Sequence, residues 1–167
     1  MLTGIAIVSL LGALVLLIAL SIVDLRTRLL PNEMVLGLAT LGFVFHLTTL
    51  AAFLPPTNIA LGGIVGFLSL YLIRAGANYI YQDDALGLGD VKLMGAGGIW
   101  LGPDMIMIAM SIGAMASLFH GFFTELYLAR KHGRKTDFAR LQIPAGPGFA
   151  TGIVLAGAFK FKDLFLF

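Results

Sequence analysis

The sequence predicts an all-α membrane protein, a compact bundle of six transmembrane helices that forms a single domain over residues 1–167. Two observations predict this fold. Of the 167 residues, 59% are hydrophobic and 12% are charged, and the mean hydropathy of +0.96 lies outside the range of soluble domains. Several apolar stretches also approach the roughly 20 residues that a helix needs to cross a bilayer. The connecting segments are too short to hold a separate soluble core.

The first predicted span covers residues 2–23 and is followed, not preceded, by basic residues. This order is typical of a retained signal anchor with the N-terminus outside. Pro31 then interrupts the helix, and Asn32 is a suitable N-cap for the next one. The other spans are predicted at residues 34–54, 59–73 with a continuation to residue 80 left open, 91–101, 105–128 and 149–166.

The fourth predicted span is too short. Its 11 residues make about 16 Å of helix, which does not cross a bilayer. The span is therefore tilted in a thinned region or begins before Asp90, and either arrangement places Asp90 near the membrane surface. Gly102 and Pro103 are predicted to form the tight turn that follows it.

The distribution of basic residues tests this topology. With both chain ends outside, only Lys160 and Lys162 of the 11 basic residues lie on the outer side, near a helix end where long side chains can reach the headgroups. The bias agrees with the positive-inside rule. The nine basic residues on the inner side are Arg26, Arg28, Arg74, Lys92, Arg130, Lys131, Arg134, Lys135 and Arg140. The loop of residues 130–140 is predicted to contact anionic membrane lipid.

Small residues recur at four-residue spacing, which predicts helices packed closely against one another. The pairs are Gly62/Gly66, Gly98/Gly102, Gly113/Ser117/Gly121 and Gly148/Gly152.

Composition also limits the chemistry. The chain has no cysteine, which excludes disulfides, thiolate metal sites and cysteine nucleophiles. A formal charge of +2 without a run of like charges does not favour a nucleic-acid partner. His46 and His120 lie in apolar spans and are predicted to be packed, hydrogen-bonded residues, because no HExxH motif indicates a metalloprotease. We expect no metal or cofactor.

Two acidic residues stand out. Asp24 closes the first span and Asp90 opens the fourth, so the topology brings both to the inner face. A simple alternative is ion pairing, of Asp24 with Arg26 or Arg28 and of Asp90 with Lys92, although residues two apart on a helix point to different faces. Two close carboxyl groups instead tend to share one proton, so that one acts as general base on water while the other polarises a carbonyl. This is the chemistry of aspartic proteases.

Three segments resemble a known family. "GLGD" at residues 87–90 matches the GxGD signature of intramembrane aspartyl proteases, and "DALGLGDVKLMGAGG" around it is similar to the type IV prepilin peptidases. "DLRTRLLPN" from Asp24 is similar to that family's first-aspartate motif. "QIPAGPGFATG" from Gln142 resembles its Pro-Phe-Gly-Pro segment, with Ala145 where the family usually has Phe.

The resemblance implies that Asp24 and Asp90 are the catalytic pair. It implies cleavage, at the cytoplasmic face of the bacterial inner membrane, of prepilins or pseudopilins that carry a basic leader before a hydrophobic helix. The N-terminal cysteine-containing region associated with methylation is not found before the first span, so only cleavage is carried over.

Five further residues are candidates for binding substrate or supporting the loop. Gly87 and Gly89 would let the backbone turn sharply and an extended substrate approach. Lys92 would bias the shared proton or receive a substrate acid, or else extend to the headgroups. Asp83 and Asp84 would attract a basic leader, or else are solvated loop acids. Members of the family that the sequence resembles commonly have Glu at the position of Asp84.

Two other classes of protein stay open at this point. A small ion- or proton-coupled transporter would use inward-facing carboxylates as a relay, and a structural subunit of a secretion assembly would need no catalytic pair. A transporter is expected to place its charges near the midplane, whereas Asp24 and Asp90 are predicted at one edge.

Overall fold

The computed structural model describes residues 2–82, 86–133, 136 and 144–162. Within this part of the chain the regular structure is helical, which confirms the all-α prediction. The helices are α1 (Leu2–Thr27), α2 (Asn32–Thr48), α3 (Pro56–Tyr81), α4 (Leu88–His132) and α5 (Gly146–Lys160).

Helix α4 consists of two parts joined at Gly102. This residue has φ 75° and ψ 175°, a conformation that favours glycine, and Pro103 after it has no N–H to continue the helical ladder. Gly66 of α3 packs against both Met94 and Ile106. Twelve residues of straight helix would hold those two about 18 Å apart, so the chain folds back at Gly102. The predicted turn is confirmed.

The predicted set of six membrane spans is not confirmed, because the described part of the chain forms five helices. By length and composition, three of them can cross a membrane: Gly4–Thr27 in α1, α3 and α4. The predicted fourth and fifth spans are the two parts of α4. Helices α2, with 17 residues, and α5, with 15, are shorter than the roughly 20 residues of a full crossing.

Several predicted helix limits differ from the observed ones. Helix α2 ends at Thr48, not at residue 54, because Leu50 and Ala51 adopt positive φ angles. Pro31, not Asn32, occupies the N-cap of α2. Helix α3 continues to Tyr81. Helix α4 begins at Leu88, which agrees with one of the two alternatives for the short fourth span, namely that it starts before Asp90. Beyond Lys162, the end of the predicted sixth span lies outside the described residues.

Helices that follow one another along the chain, with the two parts of α4 counted separately, run in opposite directions. Gly12 of α1 packs on Leu41 of α2, and Gly37 packs on Leu16. Helix α5 lies against α1 and α4, and α4 also contacts α2 and α3. This alternation brings the C-terminal end of α1 and the N-terminal ends of α4 and α5 to the same end of the bundle.

Close packing at the small residues is confirmed. A Cβ atom added at Gly62 would overlap the carbonyl oxygen of Gly98, and one added at Gly152 would overlap that of Ala109. These glycines allow α3 and α5 to approach α4 at backbone distance.

The carbonyl groups at the break in α4 are satisfied by His46. Its Nε2 atom lies 3.1 Å from the carbonyl oxygen of Ile99 and 3.3 Å from that of Trp100. Because Pro103 cannot donate to Ile99, the imidazole replaces the missing helical donor. The prediction that His46 is packed and hydrogen-bonded is confirmed. The same prediction was wrong for His120, whose side chain is exposed on α4.

Large apolar side chains cover the outside of the helices. Val8, Leu72 and Leu118 are among the many that are exposed, while polar side chains such as Asp24 and Asp90 are buried. An exterior of this kind, on helices long enough to span a bilayer, is that of a membrane protein.

Candidate active site

Asp24 lies in the last turn of α1, and its side chain is 6% exposed. The backbone N–H of Gly146 donates a hydrogen bond to Oδ2 of Asp24 at 3.0 Å. Gly146 is the first residue of α5, so the free N–H groups and positive dipole end of that helix lie next to the carboxyl group. The positive charge of the Arg28 guanidinium also favours the charged form of Asp24.

Asp90 lies in the first turn of α4 and is 7% exposed. Within the described part of the chain, its Oδ1 atom is buried without a hydrogen-bond partner. Asp24 is close enough for the negative charges of the two carboxyl groups to repel each other. Two buried acids thus come together from helices far apart in sequence.

The two glycines of the GxGD segment are needed because a side chain at either position would be crowded by its neighbours, more than because the backbone turns there. Gly87, the N-cap of α4, has φ −65° and ψ 135°, which most residues adopt, so the predicted sharp turn is not what requires glycine there. A Cβ atom at Gly87 would lie 3.1 Å from Oδ2 of Asp90, and one at Gly89 would lie 2.8 Å from Cβ of Leu30. Their missing side chains leave room beside the acid and beneath Leu30.

Lys92 points away from Asp90. Its Nζ donates a hydrogen bond to Oδ1 of Asn32 at 2.9 Å, which links α4 to the start of α2. Residues 88–92 are helical, so the two side chains leave the helix on different faces. The alternative of an Asp90–Lys92 ion pair was wrong.

Asp83 and Asp84 lie outside the described residues. The first described residue after them, Leu86, is held by Arg74: the Nε–H of this α3 side chain donates to the carbonyl oxygen of Leu86 at 2.7 Å. Arg74 was predicted only as an inner basic residue. The structure shows that it fixes the segment leading to Gly87 and Asp90.

Two other residues near the site were not predicted. Gly146 was part of the motif "QIPAGPGFATG", but its contact with Asp24 joins residues 122 positions apart and has no sequence signal. Ser117, interpreted as a packing residue, places its hydroxyl 3.3 Å from the carbonyl oxygen of Ala145 and 2.9 Å from that of Gly113. It therefore supports the turn that presents Gly146.

One more buried acid was not singled out. Glu125 on the second part of α4 is 4% exposed, so its side chain is buried. Among the described residues, no group of three histidine, aspartate or glutamate side chains is arranged to hold a metal ion.

Fold and site together define a helical membrane protein with two carboxyl groups enclosed at one end of its bundle. The model of the type IV leader peptidase family matches residues 11–122, a range that contains both Asp24 and Asp90. The chain belongs to this family.

Curated relatives agree with the family match. The chain is 39% identical over 117 residues to the prepilin leader peptidase/N-methyltransferase of Dickeya chrysanthemi, covering 66% of this chain and 41% of that protein. It is 36% identical over 114 residues to the protein of the same name from Pectobacterium carotovorum subsp. carotovorum, covering 64% and 40%. For Aeromonas hydrophila the identity is 32% over 134 residues, covering 80% and 43%.

The chain spans about two fifths of the length of these relatives. No solved structure matches it. Membership of the leader peptidase family does not favour the alternatives of an ion-coupled transporter or a structural subunit.

Proposed function

We propose that this protein is an aspartic endopeptidase that removes the leader peptide of type IV prepilins or pseudopilins at the cytoplasmic face of the bacterial inner membrane. The observation that carries the proposal is that Asp24 and Asp90 are both buried and lie near enough for their charges to interact. Membership of the type IV leader peptidase family supports the substrate class.

The proposed mechanism divides two roles between the acids. Two adjacent carboxyl groups hold one proton between them. Asp24 has an N–H donor from Gly146 and the nearby charge of Arg28, both of which suit a carboxylate. Oδ1 of Asp90 has no such donor among the described residues, so we place the proton on Asp90.

In the first step, Asp24 takes a proton from water as the water oxygen bonds to the scissile carbonyl carbon. The proton of Asp90 passes to the carbonyl oxygen, which gives a neutral tetrahedral diol. In the second step the carbon–nitrogen bond breaks, the leaving amine takes the proton held by Asp24, and one hydroxyl of the diol returns its proton to Asp90. The products are a carboxylic acid and an amine, and the pair regains its starting state.

The test is cleavage of a model prepilin by purified protein in detergent, followed by mass spectrometry of leader loss. Asp24→Asn and Asp90→Asn should each lower the rate by about 100-fold or more, because each removes an acid–base group. Asp104→Asn is the matched control, since Asp104 is an exposed acid at the break in α4. A wild-type rate in either of the first two variants would contradict the mechanism.

We also propose that the chain crosses the membrane six times, with both parts of α4 crossing separately and both chain ends outside. The fold-back at Gly102 and the distribution of basic residues support this topology. Because the chain has no cysteine, single cysteines can report on it. Thr27→Cys should react with an impermeant maleimide only from the cytoplasmic side, and Ala52→Cys only from the outer side. Labelling of both from one side would contradict the topology.

Asp83 and Asp84 are proposed to attract the basic leader, and Gly87 and Gly89 to leave the approach to the acids open. The double variant Asp83→Asn/Asp84→Asn should raise KM at low salt and less so at high salt, because salt screens exposed charges. A substrate with a neutral leader is the control and should show no such change. An unchanged KM for the basic leader would remove these two residues from the binding site.

A further inference from the structure

A groove runs between α2 and α3, which pack against α4 but not against each other in the described part of the chain. Its volume is about 580 Å³. Residues 92–99 of α4 form its floor, with small residues on the floor and on both walls: Ala39, Gly63, Gly95 and Ala96. Small residues at such a surface allow another helix to approach closely.

The groove begins at the level of the acid pair. Lys92 lies at the end of the groove nearest to the acid pair, which is called the upper end below. It follows Asp90 by two residues, or about 3 Å along the helix axis, and the floor of the groove continues to Ile99, about 10 Å further. A second cavity, of about 170 Å³, is almost entirely apolar and is lined on α1 by Leu10, Ala13, Leu14 and Leu17, of which Leu17 lies nearest to Asp24. Leu17 lies about 10 Å along the axis from Asp24, so that cavity does not extend to the site.

The upper end of the groove is polar. Glu33, exposed in the first turn of α2, lies there beside the hydrogen-bonded pair of Asn32 and Lys92. If a bound helix has its N-terminal end at this polar end of the groove, its free N–H groups and the positive end of its dipole lie beside Glu33. The carboxylate of Glu33 is complementary to that end.

We infer that the groove binds the hydrophobic helix of the substrate during cleavage, with the N-terminal end of that helix at Glu33. The inference rests on the proposed function, in which the scissile bond directly precedes such a helix. The few extended residues between helix and scissile bond cross the N-terminal end of α4, over Gly87, to reach Asp24 and Asp90. The residues that line the groove would therefore select substrates by the hydrophobic helix that follows the cleavage site, in addition to the leader.

Disulfide cross-linking tests the location directly. A model prepilin with one cysteine in its hydrophobic helix is incubated in vesicles with Asp90→Asn protein that carries Ala39→Cys. The matched control carries Ile18→Cys, an exposed residue of α1 that lies about one helical turn from the depth of Ala39 and does not line the groove. Cross-linking at position 39 several times that at position 18 is expected. Equal cross-linking at both positions, or preference for position 18, would overturn the inference.

Kinetics separate this inference from the proposed function. Ala39→Leu narrows the groove and should raise KM for the full prepilin by roughly tenfold, while KM for a short soluble leader peptide spanning the scissile bond stays unchanged. Ala114→Leu, on an exposed position of the second part of α4, should change neither. If wild-type protein cleaves but Ala39→Leu has no effect on the full prepilin, the groove is not the binding site. If wild-type protein cleaves neither substrate, the proposed function itself fails.

Discussion

Gly146 donates its backbone N–H to Oδ2 of Asp24 at 3.0 Å, and this hydrogen bond joins the start of α5 to the end of α1 across 122 positions of sequence. It places the positive end of one helix dipole against an acid that α1 leaves buried at the edge of the bundle. The geometry of the acid pair thus depends on α5 as well as on the two helices that carry the acids.

Gly146→Ala should lower the cleavage rate with little loss of stability. The new Cβ would lie 2.7 Å from Oδ2 and 2.9 Å from Cγ of Asp24, so the carboxyl group must move. We expect a fall in kcat/KM of about tenfold or more, because a displacement of this size misaligns a catalytic group. Gly157→Ala on the same helix is the control, since its Cβ would meet nothing closer than 3.8 Å. Equal activity of the two variants would show that the Asp24 contact is dispensable.

Gly148→Ala should destabilise the protein through the α4–α5 contact. A Cβ at this position would overlap Oγ of Ser117 and lie 2.6 Å from the carbonyl oxygen of Gly113. Overpacking of this kind costs about 1–3 kcal/mol, visible as a lower Tm in detergent. Gly76→Ala on α3 meets nothing within 4 Å and should be neutral or slightly stabilising. An unchanged Tm for Gly148→Ala would mean that α5 shifts freely on α4.

Arg74→Leu should loosen the segment that leads into the GxGD turn. The variant removes the donor to the carbonyl oxygen of Leu86, a charge-assisted bond worth about 1.5–3 kcal/mol. Faster amide hydrogen exchange at residues 86–90 and a lower kcat are expected. Arg130→Leu, at an exposed residue of α4, controls for the loss of an inner-side charge. Unchanged exchange at residues 86–90 would contradict the role of Arg74.

His46→Ala should lower stability while leaving the chemistry intact. Its imidazole is the partner of two carbonyl groups at the break in α4, and exposing them to an apolar cavity costs about 1–3 kcal/mol. His46→Gln keeps an N–H donor and should recover part of the loss in Tm. Because residue 99 lies about 13 Å along α4 from Asp90, kcat for the folded fraction should not change. A lower kcat at full stability would instead place His46 in the catalytic machinery.

Much of the fold could be predicted because its signals are local. Runs of apolar residues fix where helices form, and Gly102 with Pro103 fixes the break in α4, since one favours positive φ and the other lacks a donor. Helix ends were less predictable. Helix α2 stops at Thr48 although apolar residues continue, because Leu50 and Ala51 turn the chain with backbone bonds that have no sequence signature.

Some features of the candidate site could also be predicted from local sequence signals, and others could not. The acids were predictable as Asp24 and Asp90, because a carboxylate at the edge of an apolar span is costly and stands out. The alternative of an Asp90–Lys92 ion pair was wrong, since Lys92 contacts Asn32, and this contact forms only when α2 lies beside α4. His120 was predicted to be packed from its apolar surroundings, yet those surroundings form the outer face of α4.

By itself the sequence determined that this is a helical membrane protein, with a motif that marks two particular acids, because hydropathy and short motifs are properties of neighbouring residues. Only the tertiary structure decided that Gly146 caps Asp24, that Arg74 anchors Leu86 and that a groove lies open between α2 and α3. Each of these contacts depends on how rigid helices pack together in space, and the local sequence of a single segment does not determine its packing against a distant one.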